Sequence, residues 1–136
     1  IISYYYRRDT QMAKRKVTNL TDVSEITCVV QKGMADEIVQ SLLDAGIQGA
    51  TVHSGVGTGI RERMGLLGVA VEVEREIVQV LVSKDQVDRI FERMYLAGRL
   101  DTPGMGYIYA APLVQAATYI PAHLLEDKDS LSSLGV

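Results

Sequence analysis

Twice in this chain, apolar residues with the texture of a β-strand give way to apolar residues spaced three and four apart, and twice the strand texture returns. "EITCVVQ" (Glu25–Gln31) is rich in β-branched residues and ends at Lys-Gly, the mark of a first strand. From Gly33 the period changes: Ala35, Ile38, Val39, Leu42 and Leu43 fall at i, i+3, i+4, i+7 and i+8, one face of a helix. Gly46 supplies the left-handed residue that commonly ends a helix, and "IQGATVHS" (Ile47–Ser54) reads as a second strand. Further on, "VAVEVE" (Val69–Glu74) alternates, and the denser "IVQVLV" (Ile77–Val82) has the look of a buried central strand. The parity of the apolar positions slips between Val73 and Val78, which predicts a bulge or break near Arg75. Ser83 and Gln86 have the spacing of a capping box. Val87, Ile90, Phe91, Met94 and Tyr95 then repeat the helical face, with Gly98 expected to end this helix as Gly46 ends the first. "GYIYAAP" (Gly106–Pro112) is a last core strand, stopped by Pro112.

The order is β-α-β-β-α-β, two βαβ halves in succession. That predicts an α+β, ferredoxin-like antiparallel sheet with both helices on one face. Strands as apolar as "IVQVLV" in so short a chain leave the other face uncovered, so further subunits are expected to cover it. A length of 136 residues suits one domain, placed at 24–121, with an amino-terminal arm at 1–23 and a carboxy-terminal tail at 122–136. The arm, "YYYRRDTQMAKRK", is aromatic and basic. Met12 reads as a natural start with residues 1–11 an extension, the alternative being an ordered arm that binds a partner. A net charge of −3 argues against a nucleic-acid footprint, which shows as a basic face. One cysteine cannot form an internal disulfide and suits a reducing cytoplasm. No apolar run is long enough to span a membrane, and the arm is not apolar for long enough to read as a signal peptide.

"GVGTGIRERMG" (Gly55–Gly65) has the glycine density of a loop where backbone approaches something closely. No Gly-Lys-Ser/Thr follows, and Gly55, Gly57 and Gly59 do not match G-x-G-x-x-G. Two readings stand: a glycine-eased exit from the second strand, or a nest of backbone N–H groups for an anion. "TPGMGY" (Thr102–Tyr107) is a second glycine turn, and the pseudo-symmetry of the two halves predicts that both turns share a cleft. His53, His123 and Cys28 show no metal-binding spacing, and no Ser-His-Asp set can be assembled. Cys28 reads as core, His53 as a half-exposed or interface residue, and His123 as solvated. Glu72, Glu74 and Glu76 read as repelling carboxylates on a solvated strand face. No enzyme activity and no metal are expected.

"GIQGATVHSGVGTG", the loop after it, "IVQVLVSKDQVDRIF", "AGR" and "GMGYIYAAPL" resemble the P-II nitrogen-regulatory proteins and their divergent P-II-like relatives, over roughly Ser24 to Pro121. The resemblance implies a homotrimer with ligand clefts between subunits and a T-loop, here residues 60–75, that reports ligand occupancy to a target protein. It places Thr51 at the adenine or ribose end of an adenine nucleotide. It places Gly57, Thr58 and Gly59, with Thr58 in place of an aromatic residue, at the phosphate. Gly104, Met105, Gly106 and Tyr107 stand for a Gly-Asp-Gly-Lys turn.

The family's cations for a triphosphate fall here on Ile60, Tyr107, Thr118 and Ile120, none of them charged. Charge-assisted hydrogen bonds are the strong ones, so ADP, AMP, a small carboxylate or bicarbonate is expected in preference to ATP. Arg61 and Arg63 are the replacement cations. The short loop carries no tyrosine or serine for covalent modification, while Met64, Leu66 and Leu67 offer apolar contact to a target, a transporter or a metabolic enzyme of nitrogen or carbon metabolism. The alternative is a trimeric metal-tolerance protein of the CutA type, using His53, Cys28 or the glutamate strand.

Overall fold

The structure, a computed structural model, describes residues 17–57, 73–121 and 123. Within them the chain runs β1 (Asn19–Leu20), β2 (Val23–Gln31), α1 (Ala35–Asp44), β3 (Ala50–Gly57), β4 (Val73–Ser83), α2 (Val87–Ala97), β5 (Gly106–Pro112) and β6 (Ala116–Ala117). Four strands form one sheet in the order β3-β4-β2-β5, every neighbouring pair antiparallel. This is the ferredoxin-like arrangement expected from the periodicity.

Strand alternation decides which residues meet the helices. Ile26, Cys28 and Val30 of β2 and Val78, Val80 and Val82 of β4 are buried beneath Ala35, Ile38 and Leu42 of α1 and Ile90 and Met94 of α2. Cys28 lies in this core as expected, where burial pushes its thiol up to about 11. A second, smaller cluster joins Leu20, Val23 and Ile120 where β1 pairs with β6.

Four local expectations are corrected. The second strand starts at Ala50, because Ile47 is taken by the end of α1. The Ile47 N–H donates to the Leu42 carbonyl at 2.9 Å and the Gly46 N–H to the Leu43 carbonyl at 3.0 Å. With Gly46 at φ 87°, that is a Schellman close, and it buries Ile47 in the core.

β4 is one strand across Arg75, with no bulge: its pairing with β3 runs unbroken from Ala50–Val80 through Gly55–Arg75 to Gly57–Val73, and its pairing with β2 ends in register at Gln31–Arg75. Val69–Glu72 lie outside the described residues. The parity slip arises because β4 outruns the helix layer. Glu74 and Glu76 share the face of Val78 but lie beyond the start of α1, where polar partners replace apolar ones.

The capping box does not form. Ser83 makes no side-chain cap, a 3-10 turn (Lys84–Gln86) precedes α2, and Gln86 accepts from Arg89 instead.

Gly98 keeps a right-handed backbone (φ −80°), and Arg99 takes the left-handed position (φ 55°). A Cβ on Gly98 would meet the Met94 carbonyl at 3.2 Å and the Ile38 and Val30 side chains at 3.3 Å, so packing claims this glycine. The strain falls on Arg99, whose side chain makes an exposed 3.8 Å contact to Glu37. Left-handed backbone costs a non-glycine residue roughly 1–2 kcal/mol, and an exposed ion pair returns about 0–1. Arg99→Gly is therefore expected to raise stability by about 1 kcal/mol, read as a higher urea midpoint at unchanged slope.

Candidate functional site

The helices cover one face of the sheet and leave the other open. Register places two full cross-strand rows on that open face: Thr51, Gln79, Thr27 and Tyr109, then His53, Ile77, Val29 and Tyr107. Tyr107 is 59% exposed and Tyr109 47%, and their rings stack with centroids 6.3 Å apart. His53 is exposed, as a half-exposed or interface residue is expected to be.

Thr51 lines a shallow pocket of about 300 Å³ with Glu25, Gly49, Gln79, Val80 and Leu81. Glu25 makes this pocket a poor place for phosphate, and its carboxylate already accepts from the Thr27 hydroxyl at 3.2 Å. Gly57 ends β3, six residues and roughly 20 Å along the strand from Thr51. Gly104 (φ 83°) and Gly106 (φ 136°) bracket the turn into β5. β3 and β5 are the two outer strands, so Gly57 and the Gly104–Gly106 turn lie at one end of the sheet but on opposite edges. The spacing of neighbouring strands puts them roughly 14 Å apart. The cleft shared by both glycine turns is thus not formed within one chain. Thr58, Gly59, Arg61, Arg63, Met64, Leu66 and Leu67 lie outside the described residues.

Gly106 has a packing reason of its own. A Cβ there would stand 1.9 Å from the Val29 carbonyl oxygen. Ile120, which the resemblance sets at a cation position, is 9% exposed and packed with Leu20 and Val23. Thr118 is exposed and uncharged.

Sequence reasoning missed a polar cluster at the end of β2. Lys32, Ser54, Gly55, Val56, Glu74, Arg75 and Glu76 line a pocket of about 270 Å³ at the root of the β3–β4 connection. Lys32 Nζ meets Glu74 at 2.7 Å. Their hydrogen bond, and behind it their opposite charges, raises the lysine and lowers the carboxyl from their ordinary values. The Glu76 carboxylate accepts from the Gly33 N–H and, at 3.3 Å, from the Ala35 N–H. Glu74 and Glu76 therefore take separate partners, contrary to the reading of them as mutually repelling, and Glu76 caps α1. A signal was present: the residue before α1 is Met34, which has no side chain able to cap. Gln31 Nε2 donates to the Gly104 carbonyl at 3.1 Å, tying the second glycine turn to this cluster.

No curated protein sequence matches the chain. Among solved structures, the crystal structure of Arabidopsis thaliana PII bound to citrate matches with a TM-score of 0.56 and 23% identity. The match covers 68% of this chain and 78% of that one, and it shows a shared fold. The family model described as nitrogen regulatory protein P-II matches residues 23–121, from the first residue of β2 to just past the Ile120 cluster. By that match the chain belongs to the P-II family.

Proposed function

We propose that the protein is a non-catalytic signalling subunit. It assembles as a homotrimer through the open sheet face, binds a small anionic effector at the seams, and transmits occupancy through the connection between β3 and β4. The observation that carries this reading is the uncovered face itself. On the helix side the two central strands bury Ile26, Cys28, Val30, Val78, Val80 and Val82, whereas Tyr107, Tyr109, Ile77 and Val29 form a band that no described helix covers. The dispersal of the site residues supports the same reading. Thr51, Gly57 and the Gly104–Gly106 turn join into one site only when an edge of one copy meets an edge of the next.

In such a seam the Thr51 pocket takes the base or ribose, for Gln79 and Glu25 offer polar partners to uncharged groups. Gly57, Thr58 and Gly59, with Met105 and Tyr107 opposite, take the anionic end, and Arg61 and Arg63 supply its charge. The donor set fits a ligand with fewer charges than ATP. Tyr107 and the buried Ile120 stand where the family places cations, and each missing hydrogen bond to a charged group forfeits about 1.5–3 kcal/mol. The Arabidopsis relative is bound to citrate, which keeps small carboxylates and bicarbonate beside ADP and AMP as effectors. Residues 60–75, with Met64, Leu66 and Leu67, then contact a transporter or enzyme of nitrogen or carbon metabolism in the cytoplasm.

Isothermal calorimetry tests the ordering. ADP or AMP is expected to bind at least as tightly as ATP, with little dependence on magnesium. ATP binding tightest, with strong magnesium dependence, overturns it. The metal-binding alternative would need side chains that are otherwise placed. Among the described residues no three metal-binding side chains lie together, Cys28 is in the core, and Glu74 and Glu76 are already engaged.

A further inference from the structure

We propose that the turn between β2 and α1, with Gln31 and Glu76 as its positioning residues, mechanically couples the two glycine segments of the site. This rests on the reading that both segments belong to one effector site, but the contacts stand independently of it.

The two segments lie on opposite edges of the sheet with β4 and β2 between them. The β2–α1 turn is bonded to both sides. Towards β5, Gln31 Nε2 holds the Gly104 carbonyl at 3.1 Å. Towards β4, the Gly33 and Ala35 N–H groups hold the Glu76 carboxylate, and Lys32 holds Glu74 at 2.7 Å. Glu74 and Glu76 follow closely on Val73, which pairs with Gly57. A displacement at Gly104 thus reaches the root of the β3–β4 connection through one short turn.

The way α1 is capped supports the coupling. A serine or aspartate at position 34 would reach the Asp36 or Glu37 N–H and supply part of the helix start locally, without β4. Met34 cannot do so, and the acceptor comes from β4. The first turn of α1 also holds Asp36 and Glu37, so its free N–H groups do not lack nearby acids. The remote carboxylate makes the position of α1 depend on the strand that leaves the loop. The Lys32–Glu74 pair is exposed and adds little strength. Glu76 is half-buried and charge-assisted, which makes it the stronger link.

Amide hydrogen exchange on the full chain, read by NMR without ligand, tests this. Glu76→Gln is expected to speed exchange at Gly33 and Ala35, as any lost cap does, and also at Gly104 and Met105 by about five-fold, the equivalent of one hydrogen bond. Gln31→Ala is expected to speed exchange at Glu74 and Arg75. Adding Met34→Asp to Glu76→Gln is expected to protect the Asp36 or Glu37 N–H, the donors an N-cap carboxylate reaches, while leaving Gly104 and Met105 fast, which a purely local capping role would not produce. Effects confined in each variant to the mutated side of the turn overturn the proposal. A second arm adds ADP. In the wild type it is expected to shift both Glu74 and Gly104 resonances, and in Gln31→Ala only one of the two. If ADP leaves the wild-type spectrum unchanged, the ADP reading of the effector fails, while the ligand-free exchange result still decides the coupling.

Discussion

Replacing Gly106 by alanine is expected to cost about 4 kcal/mol or more and to release β5 from the sheet. The added Cβ would lie 1.9 Å from the Val29 carbonyl oxygen, 2.9 Å from its carbon and 3.1 Å from the Val30 Cα. All three are backbone atoms of the central strand, so no side-chain rotation relieves the clash. The φ of 136° adds its own strain, since it lies outside what an L-residue adopts. The only escape is for β5 to move away from β2, which breaks the pairing that runs from Val30–Gly106 to Ser24–Pro112. Gly46 is the matched comparison. Its φ is 87°, and an added Cβ meets nothing within 4 Å, so Gly46→Ala carries backbone strain alone. That loss is expected to be about 1 kcal/mol. Urea unfolding of both variants separates the two effects, and similar midpoints for the pair would show that β5 accommodates the methyl group.

The second large effect concerns assembly. Under the proposed assembly, Tyr109→Asp is expected to leave only monomers at micromolar concentration and to weaken binding of the proposed effector ADP by about 100-fold or more, the equivalent of roughly 2.7 kcal/mol. Tyr109 is 47% exposed in a single chain, so the carboxylate stays solvated there and the protomer keeps its fold. Threefold association would bury three such carboxylates without partners, and each unpaired buried charge is costly. Leu43→Asp is the control. Leu43 has nearly the same exposure, 48%, but sits on α1, on the far side of the sheet. It is expected to leave mass and binding unchanged. Sedimentation gives the mass and circular dichroism the integrity of the protomer. A Tyr109→Asp protein that remains assembled would remove the open face from the interface.

Legibility in the sequence followed the range of the interactions. The faces of α1 and α2 and the Gly46 close depend on residues within a turn or so of one another, and they stood out. Gly98 was misjudged because its role is tertiary: Ile38 and Val30 crowd it, and the left-handed residue moves to Arg99. The apparent defect at Arg75 came from treating one strand as packed along its whole length, when its first residues extend past the helices. At the candidate site, Gly57 and the Gly104–Gly106 turn were singled out by the glycine pattern together with the family resemblance. That they stand on opposite edges follows only from the sheet order. Gln31 and Glu76 were invisible because their partners lie 73 and 43 residues away along the chain.

The sheet order has a consequence for how the chain is made. The first half, β2-α1-β3, contains no pair of neighbouring strands, because β4 inserts between β2 and β3. A nascent chain that has emerged only as far as residue 72 can form α1 but none of the four-stranded ladder. Its two strands must wait on the ribosome for β4, and the apolar β2 must wait longer still for β5. Such delayed, long-range pairing folds slowly and leaves strand edges open to chaperones or to aggregation. A fragment ending before β4 is therefore expected to be a chaperone client rather than a half-sized domain.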